Sequence, residues 1–220
     1  MVKRKITLCS ESLRFGRGSR NPYVKYSYDG EAIIELLKKH IETLKNEQVA
    51  IEAIGFGGKE QFMQKIPRFV KDELAEYRHR GGEIEVFIIV LRDSDTNDSR
   101  KISALRRKLT DGIKKFIGER KLQRVYVMFA VQAIEAWILA DEQKLNEYLG
   151  VTNKAKHENA PEKIENPKQI VQNLFKQCGR EYTPQELRDL LPQLQVSELS
   201  RCKHFQAFYD CVIKIAGGAK

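Results

Sequence analysis

The chain has little of what builds membrane-bound, secreted or zinc-stapled proteins. No apolar run approaches the roughly eighteen residues that a membrane-crossing helix needs, so no membrane partner is expected. The opening "MVKRKITLCSES" is basic, but its apolar stretch is too short for a secretory signal. The cysteines Cys9, Cys178, Cys202 and Cys211 are scattered, with no CxxC pair. That argues against a zinc ribbon or a disulfide scaffold, and for reduced thiols in the cytoplasm. The histidines His40, His79, His157 and His204 show neither HxH nor HxxxH spacing, which disfavours a histidine-built zinc site. "IGFGGKEQ" lacks the spacing of a phosphate loop and has no Ser or Thr after Lys59, so it reads as a tight strand-to-helix turn and not as an ATPase motif.

What the chain does have is positive charge and a regular alternation of patterns. The 220 residues are 41% hydrophobic and 31% charged, the balance of a folded domain, with a formal net charge of +9. Excess basic charge favours polyanionic partners, nucleic acid above all, through counterion release. Short apolar runs alternate with amphipathic stretches: "KITLC", "QVAIEAIGF", "EVFIIVL" and "RVYVMFAV" read as strands. Helices are expected over about 31–45, through "EQFMQKIPRFVKDELAEYRHR" with a kink or restart at Pro67, and over "SRKISALRRKLTDGIKKFI". Strands joined by helices imply a mainly parallel sheet covered on both faces. The expectation is an α/β fold of about four strands over 1–149, with a helical portion over 150–220 packed on it.

The third strand runs straight into acids, "EVFIIVLRDSDTND". In an open α/β sheet ligands bind at the carboxyl ends of the strands, where Asp93 and Asp95 stand. Alternate residues leaving a strand face one side, and two neighbouring carboxylates ask for a compensating cation, such as a hard divalent ion. The plainer reading of "DSDTNDS" is a turn and a helix cap, and Asp98 is assigned to capping. Glu135 opens a helix directly after the fourth strand; it is either a further ligand or an acid favoured at a helix N-terminus.

"VLRDSDTND", "VQAIEAWILAD", "NPKQIVQNLF" and "LSRCKHFQAFYDCV" together resemble a TOPRIM-like family, domain of unknown function 4276. The resemblance implies a TOPRIM-like, Rossmann-like core, in which a Glu after the first strand and an Asp-x-Asp after a later one hold Mg²⁺ or Mn²⁺ for phosphodiester chemistry. Carried over, the Asp-x-Asp falls on Asp93 and Asp95, and the Glu on Glu11, with Glu31 as the other match. Relatives show a Glu-Gly step that leads quickly into a helix, whereas here Ser12 and an extended loop follow Glu11. Glu11 would be ligand or general base. Arg201 and Lys203, in "SRCKHF", are candidate cations for charge developing on phosphorus, or else lie on a solvated helix face. His204 is a weaker candidate for proton transfer.

Two basic stretches are candidates for nucleic-acid contact. "SLRFGRGSRNPYVKYSY" interleaves Arg14, Arg17, Arg20 and Lys25 with aromatics that could stack on bases, or it is an ordered loop packed on the sheet. "RKISALRRKL" brings Arg106 and Arg107 near the acidic edge, or is the charged face of an amphipathic helix. The leading expectation is a Mg²⁺-dependent nuclease acting on DNA or RNA, and the resemblance adds a prokaryotic defence or mobile-element setting with an ATPase partner. A non-catalytic adaptor and a phosphotransferase or nucleotidyltransferase are the competing readings. Assembly into a homo-oligomer stays open.

Overall fold

The computed structural model describes residues 3–12, 27–79, 84–152 and 160–217. Among these, strands β1 (Lys3–Ser10), β2 (Val49–Gly55), β3 (Ile84–Asp93) and β4 (Val125–Ala130) form one sheet in the order β2-β1-β3-β4. Every neighbouring pair is parallel, with Ser10 beside Gly55, Cys9 beside Val90 and Asp93 beside Ala130. All four carboxyl ends therefore meet at one edge. The near-continuous apolar run of β3 suits its central position, buried on both faces.

Between the strands lie α1 (Tyr28–His40), α2 (Glu42–Lys45), α3 (Lys59–His79), α4 (Ser99–Ile117) and α5 (Glu119–Leu122). After β4 come α6 (Glu135–Ala140), α7 (Glu142–Leu149), a 3-10 turn Pro161–Lys163, α8 (Pro167–Gln177), α9 (Pro184–Leu190), α10 (Val196–Leu199) and α11 (Lys203–Ala216). The period-two alternation of the strands divides two apolar layers. Val86, Ile88, Val90 and Cys9 pack with α3 and α4 through residues such as Phe62, Phe69, Ile102 and Ile113. Ile6, Leu8, Ile89 and Leu91 pack on the other side with α1, Trp137 and the C-terminal helices, including Phe175, Phe205 and Phe208. The C-terminal helices thus share one continuous core with the sheet. Among the described residues no helix is long and apolar enough to cross a membrane.

Several boundaries differ from the sequence reading. The first helix starts at Tyr28, with Ser27 capping it through Gly30 N–H, and it breaks at Ile41 before the short α2. Gly30 permits this start, because a Cβ there would stand 2.6 Å from that of Ala53 on β2. Helix α3 runs through Pro67 as a single element. The proline ring faces Gly112 of α4, where a built Cβ would lie 3.7 Å from it. β3 extends as far as Asp93, so this acid is the last strand residue.

Candidate acidic site at the strand ends

The four loops at the carboxyl edge each deliver charged side chains to one place. Directly after β1, Glu11 places Oε1 2.6 Å from the Nε of Arg92, a buried residue of β3. Burial raises the pKa of Glu11, against the lowering effect of Arg92 and then Lys59, with Asp95 adding to the rise. After β2, Gly57 and Gly58 take φ of 81° and 100°, the left-handed turn that glycine tolerates, and Gly58 N–H donates to the Glu11 carbonyl at 2.8 Å. That turn sets Lys59 at the start of α3, with Nζ 2.6 Å from Asp95 Oδ2.

At the end of β3, Asp93 Oδ1 accepts the backbone N–H of Ile134 at 3.1 Å. The side chain is only partly open to the pocket, and its remaining surroundings are protein. That enclosure, followed by the nearby charges of Glu135, Asp29, Glu11 and Asp95, pushes its pKa well above the usual aspartate range. The next residues are stitched to the end of β4. Gln132 N–H donates to Ser94 Oγ at 2.9 Å, and Asp95 N–H to the Gln132 carbonyl at 2.9 Å. Asp95 and Gln132 both adopt left-handed backbone, φ 54° and 63°. Strain of this kind concentrates at functional sites. It also turns Asp95 out of strand alternation, so its place beside Asp93 comes from this turn. Asp98 caps α4 as expected, accepting from Arg100 and Lys101 N–H.

Two further acids complete the cluster. Glu135 opens α6 and is buried, which raises its pKa against the nearby Lys168. Asp29, in the first turn of α1, is likewise raised by burial, with Ser12 and Lys168 acting to lower it. Tyr182 lies beside Glu135 and Asp29, and burial and these acids hold its hydroxyl protonated. Glu11, Asp29, Asp93, Asp95, Lys59 and Lys168 line one cavity of about 640 Å³. Sequence reading missed Asp29, Lys59, Lys168 and Arg92. The "NPKQ" start of α8 had signalled family resemblance without signalling a site.

The remaining candidates lie elsewhere. Glu31 is turned toward Arg188 at 3.5 Å and does not line the cavity. Arg201 donates to the Ala140 carbonyl at 3.1 Å and faces Glu198 at 3.6 Å, and Lys203 is exposed at the start of α11; neither lines the acidic cavity. Arg106 and Arg107 are exposed on α4. His204 sits with Glu162 in a separate cavity. Arg14, Arg17, Arg20 and Lys25 lie outside the described residues.

For a metal the donors fit in kind, being carboxylate oxygens of the sort hard divalent ions take. Among the described residues, however, no three His, Cys, Asp or Glu side chains are grouped so as to hold an ion as they stand. Within the chain itself, Arg92 and Lys59 supply countercharge to Glu11 and Asp95. No curated protein and no solved structure matches the chain. A family model does match, over residues 29–212, most of the chain's length and much of the acidic site; the chain belongs to the family described as Domain of unknown function (DUF4276).

Proposed function

We propose that this protein is a divalent-metal-dependent nuclease of TOPRIM-like type. One observation carries the reading: Glu11 from the end of β1, and Asp93 and Asp95 from the end of β3, line one cavity together with Asp29 and two lysines. Anions crowded against anions at the carboxyl edge of a parallel sheet suit a site that binds a cation and, through it, a phosphate. Asp93, Asp95 and Glu11 would hold Mg²⁺ or Mn²⁺, with Glu135 behind them. Such an ion supplies positive charge to a phosphoryl oxygen and to the leaving alkoxide.

The chain's own groups have separable tasks. Lys59, which pairs with Asp95 and lines the cavity, would meet a non-bridging phosphoryl oxygen were a cation held at Asp95. Lys168, which lines the same cavity, would meet the same charge; the two lysines take the role that the sequence had given to Arg201 and Lys203. Arg92 fixes one oxygen of Glu11 and leaves the other for one of two tasks, to hold the ion or to accept a proton from an attacking water.

The test is cleavage of labelled DNA and RNA with Mg²⁺ or Mn²⁺, with and without an ATPase encoded nearby. We expect cleavage that falls by about 10²–10³ or more in Asp93→Asn/Asp95→Asn. A second readout is the melting temperature. Saturating Mn²⁺ stabilises the parent, by about 2.7 kcal/mol at a hundredfold excess over Kd, and leaves the double variant unmoved. Equal cleavage by the double variant removes the site. A second reading, a non-catalytic adaptor for nucleic acid or an ATPase, is favoured by the pairing of Glu11 and Asp95 with internal cations. It predicts binding without cleavage and no metal-induced stabilisation.

A further inference from the structure

A second cavity, of about 540 Å³, opens beside the acidic one. Asp95 and Gln132 line the first, whereas Asn97 and Val131 line the second. The two segments are joined by the Asp95 N–H to Gln132 carbonyl bond and by Gln132 N–H to the Thr96 carbonyl at 3.3 Å, so this bonded ridge divides the cavities. The lining of the second cavity is different in kind. Arg106 comes from α4, Lys163 from the 3-10 turn and His204 from the first turn of α11. The guanidinium of Arg106 stands 5.8 Å from the Phe129 ring centroid, a contact that steadies the side chain without consuming its N–H donors.

The one acid among these lining residues is already committed. Glu162 Oε1 accepts the backbone N–H of His204 at 2.8 Å and faces its Nδ1 at 3.1 Å. With Nδ1 turned to the carboxylate, Nε2 is the ring nitrogen left to a ligand. Ser99 and Ser103, one helical turn apart on α4, add hydroxyl donors. Cations and hydroxyls around a hollow, with the only carboxylate held by a neighbour, are the chemistry of phosphate recognition.

We propose that this cavity is a backbone-phosphate subsite, in which Arg106, Lys163 and His204 hold the nucleic-acid strand beyond the phosphodiester seated in the acidic pocket. The inference rests on the nuclease reading for the direction of the strand, and it extends contact from one phosphate to a run of them. A strand crossing the ridge would place its reacting phosphate by Lys59 and Lys168 and its following phosphates by Arg106 and Lys163.

The experiment compares strand lengths. Labelled DNA and RNA trinucleotides and dodecanucleotides are titrated by fluorescence anisotropy against Asp93→Asn protein, and against the same protein carrying Arg106→Ala/Lys163→Ala. The parent should gain about tenfold in affinity on lengthening, and the variant less than about threefold. Its salt slope should fall by about 1.4, two single-strand phosphate contacts at about 0.7 each. Ser103→Glu, which sets an anion in the cavity without removing either cation, should reproduce the loss. An unchanged length gain and salt slope in both variants overturns the subsite, as does a parent that binds neither strand. If wild-type protein fails to cleave while the length gain and its loss persist, the subsite stands and the nuclease reading falls. Whichever polymer shows the gain identifies the substrate.

Discussion

Strand β1 carries buried charge near both of its ends, and the two ends are built on opposite principles. Near the start, Lys5 Nζ lies 3.0 Å from Glu73 and 2.6 Å from Glu52, and Thr7 Oγ1 donates to the same Glu73 oxygen at 3.0 Å. Each charge there faces an opposite charge or a donor. Beyond the other end lie Glu11, Asp29, Asp93, Asp95 and Glu135, and the charges that act on Asp93 are those of the other four acids. A buried group with a matched partner is consistent with a purely structural role. A buried group held against its like is one the fold destabilises, and such arrangements cluster where chemistry is done.

Breaking the balanced end should have the largest effect on stability. Lys5→Met would leave Glu73 buried without its cation, at a cost of about 3–5 kcal/mol by urea denaturation. Replacing both partners, Lys5→Met with Glu73→Leu, should recover most of that loss, since an apolar pair leaves nothing uncompensated. A loss below about 1 kcal/mol in the single variant would erase the contrast, because the two ends would then tolerate mispairing alike.

Breaking the crowded end should do the reverse. Asp93 holds its proton more tightly in the folded chain than in the unfolded one, where its pKa is about 3.9. The folded state therefore binds the extra proton across that interval. Stability contributed by this group is greatest at low pH and declines as pH rises through the interval. Asp93→Asn keeps an oxygen for the Ile134 N–H and removes the charge. In EDTA it should raise stability at neutral pH by about 1–3 kcal/mol and flatten the decline between acid and neutral pH. An Asn variant that is less stable, with the decline intact, would mean that Asp93 is held by favourable contacts after all.

The same contrast explains what the sequence could tell. The strands were legible because unbroken apolar runs such as "VFIIVL" have one stable placement, between two layers. Asp93, Asp95 and Glu135 were legible because they sit within a few residues of strand ends, where topology alone fixes the edge. Asp29 and Lys168 were not, since each lies in the first turn of a helix far from the other acids in sequence. Arg92 was hidden at the end of an apolar run, since nothing in the run shows that its partner is Glu11, which follows another strand. Arg201 and Lys203 show the converse failure. Their charges were readable, but the direction of α11 depends on packing of its Phe205 against Trp137 of α6, which periodicity does not report.

The smallest effect on stability should come from the pair that looks most like the balanced end. Lys59 and Asp95 meet at 2.6 Å, the same distance as Lys5 and Glu52, yet their side chains are 52% and 48% exposed, against 11% and 35%. Water already satisfies most of what the contact offers, so the distance is a poor guide to its worth. Lys59→Met should change the unfolding free energy by less than about 1 kcal/mol. Because the residue faces the cavity and not the core, the same variant should weaken phosphate-dependent binding and flatten its salt dependence by about one contact. A Lys59→Met protein that loses stability as Lys5→Met does, while binding nucleic acid undiminished, would make the Lys59–Asp95 pair a brace like its counterpart at the other end of β1.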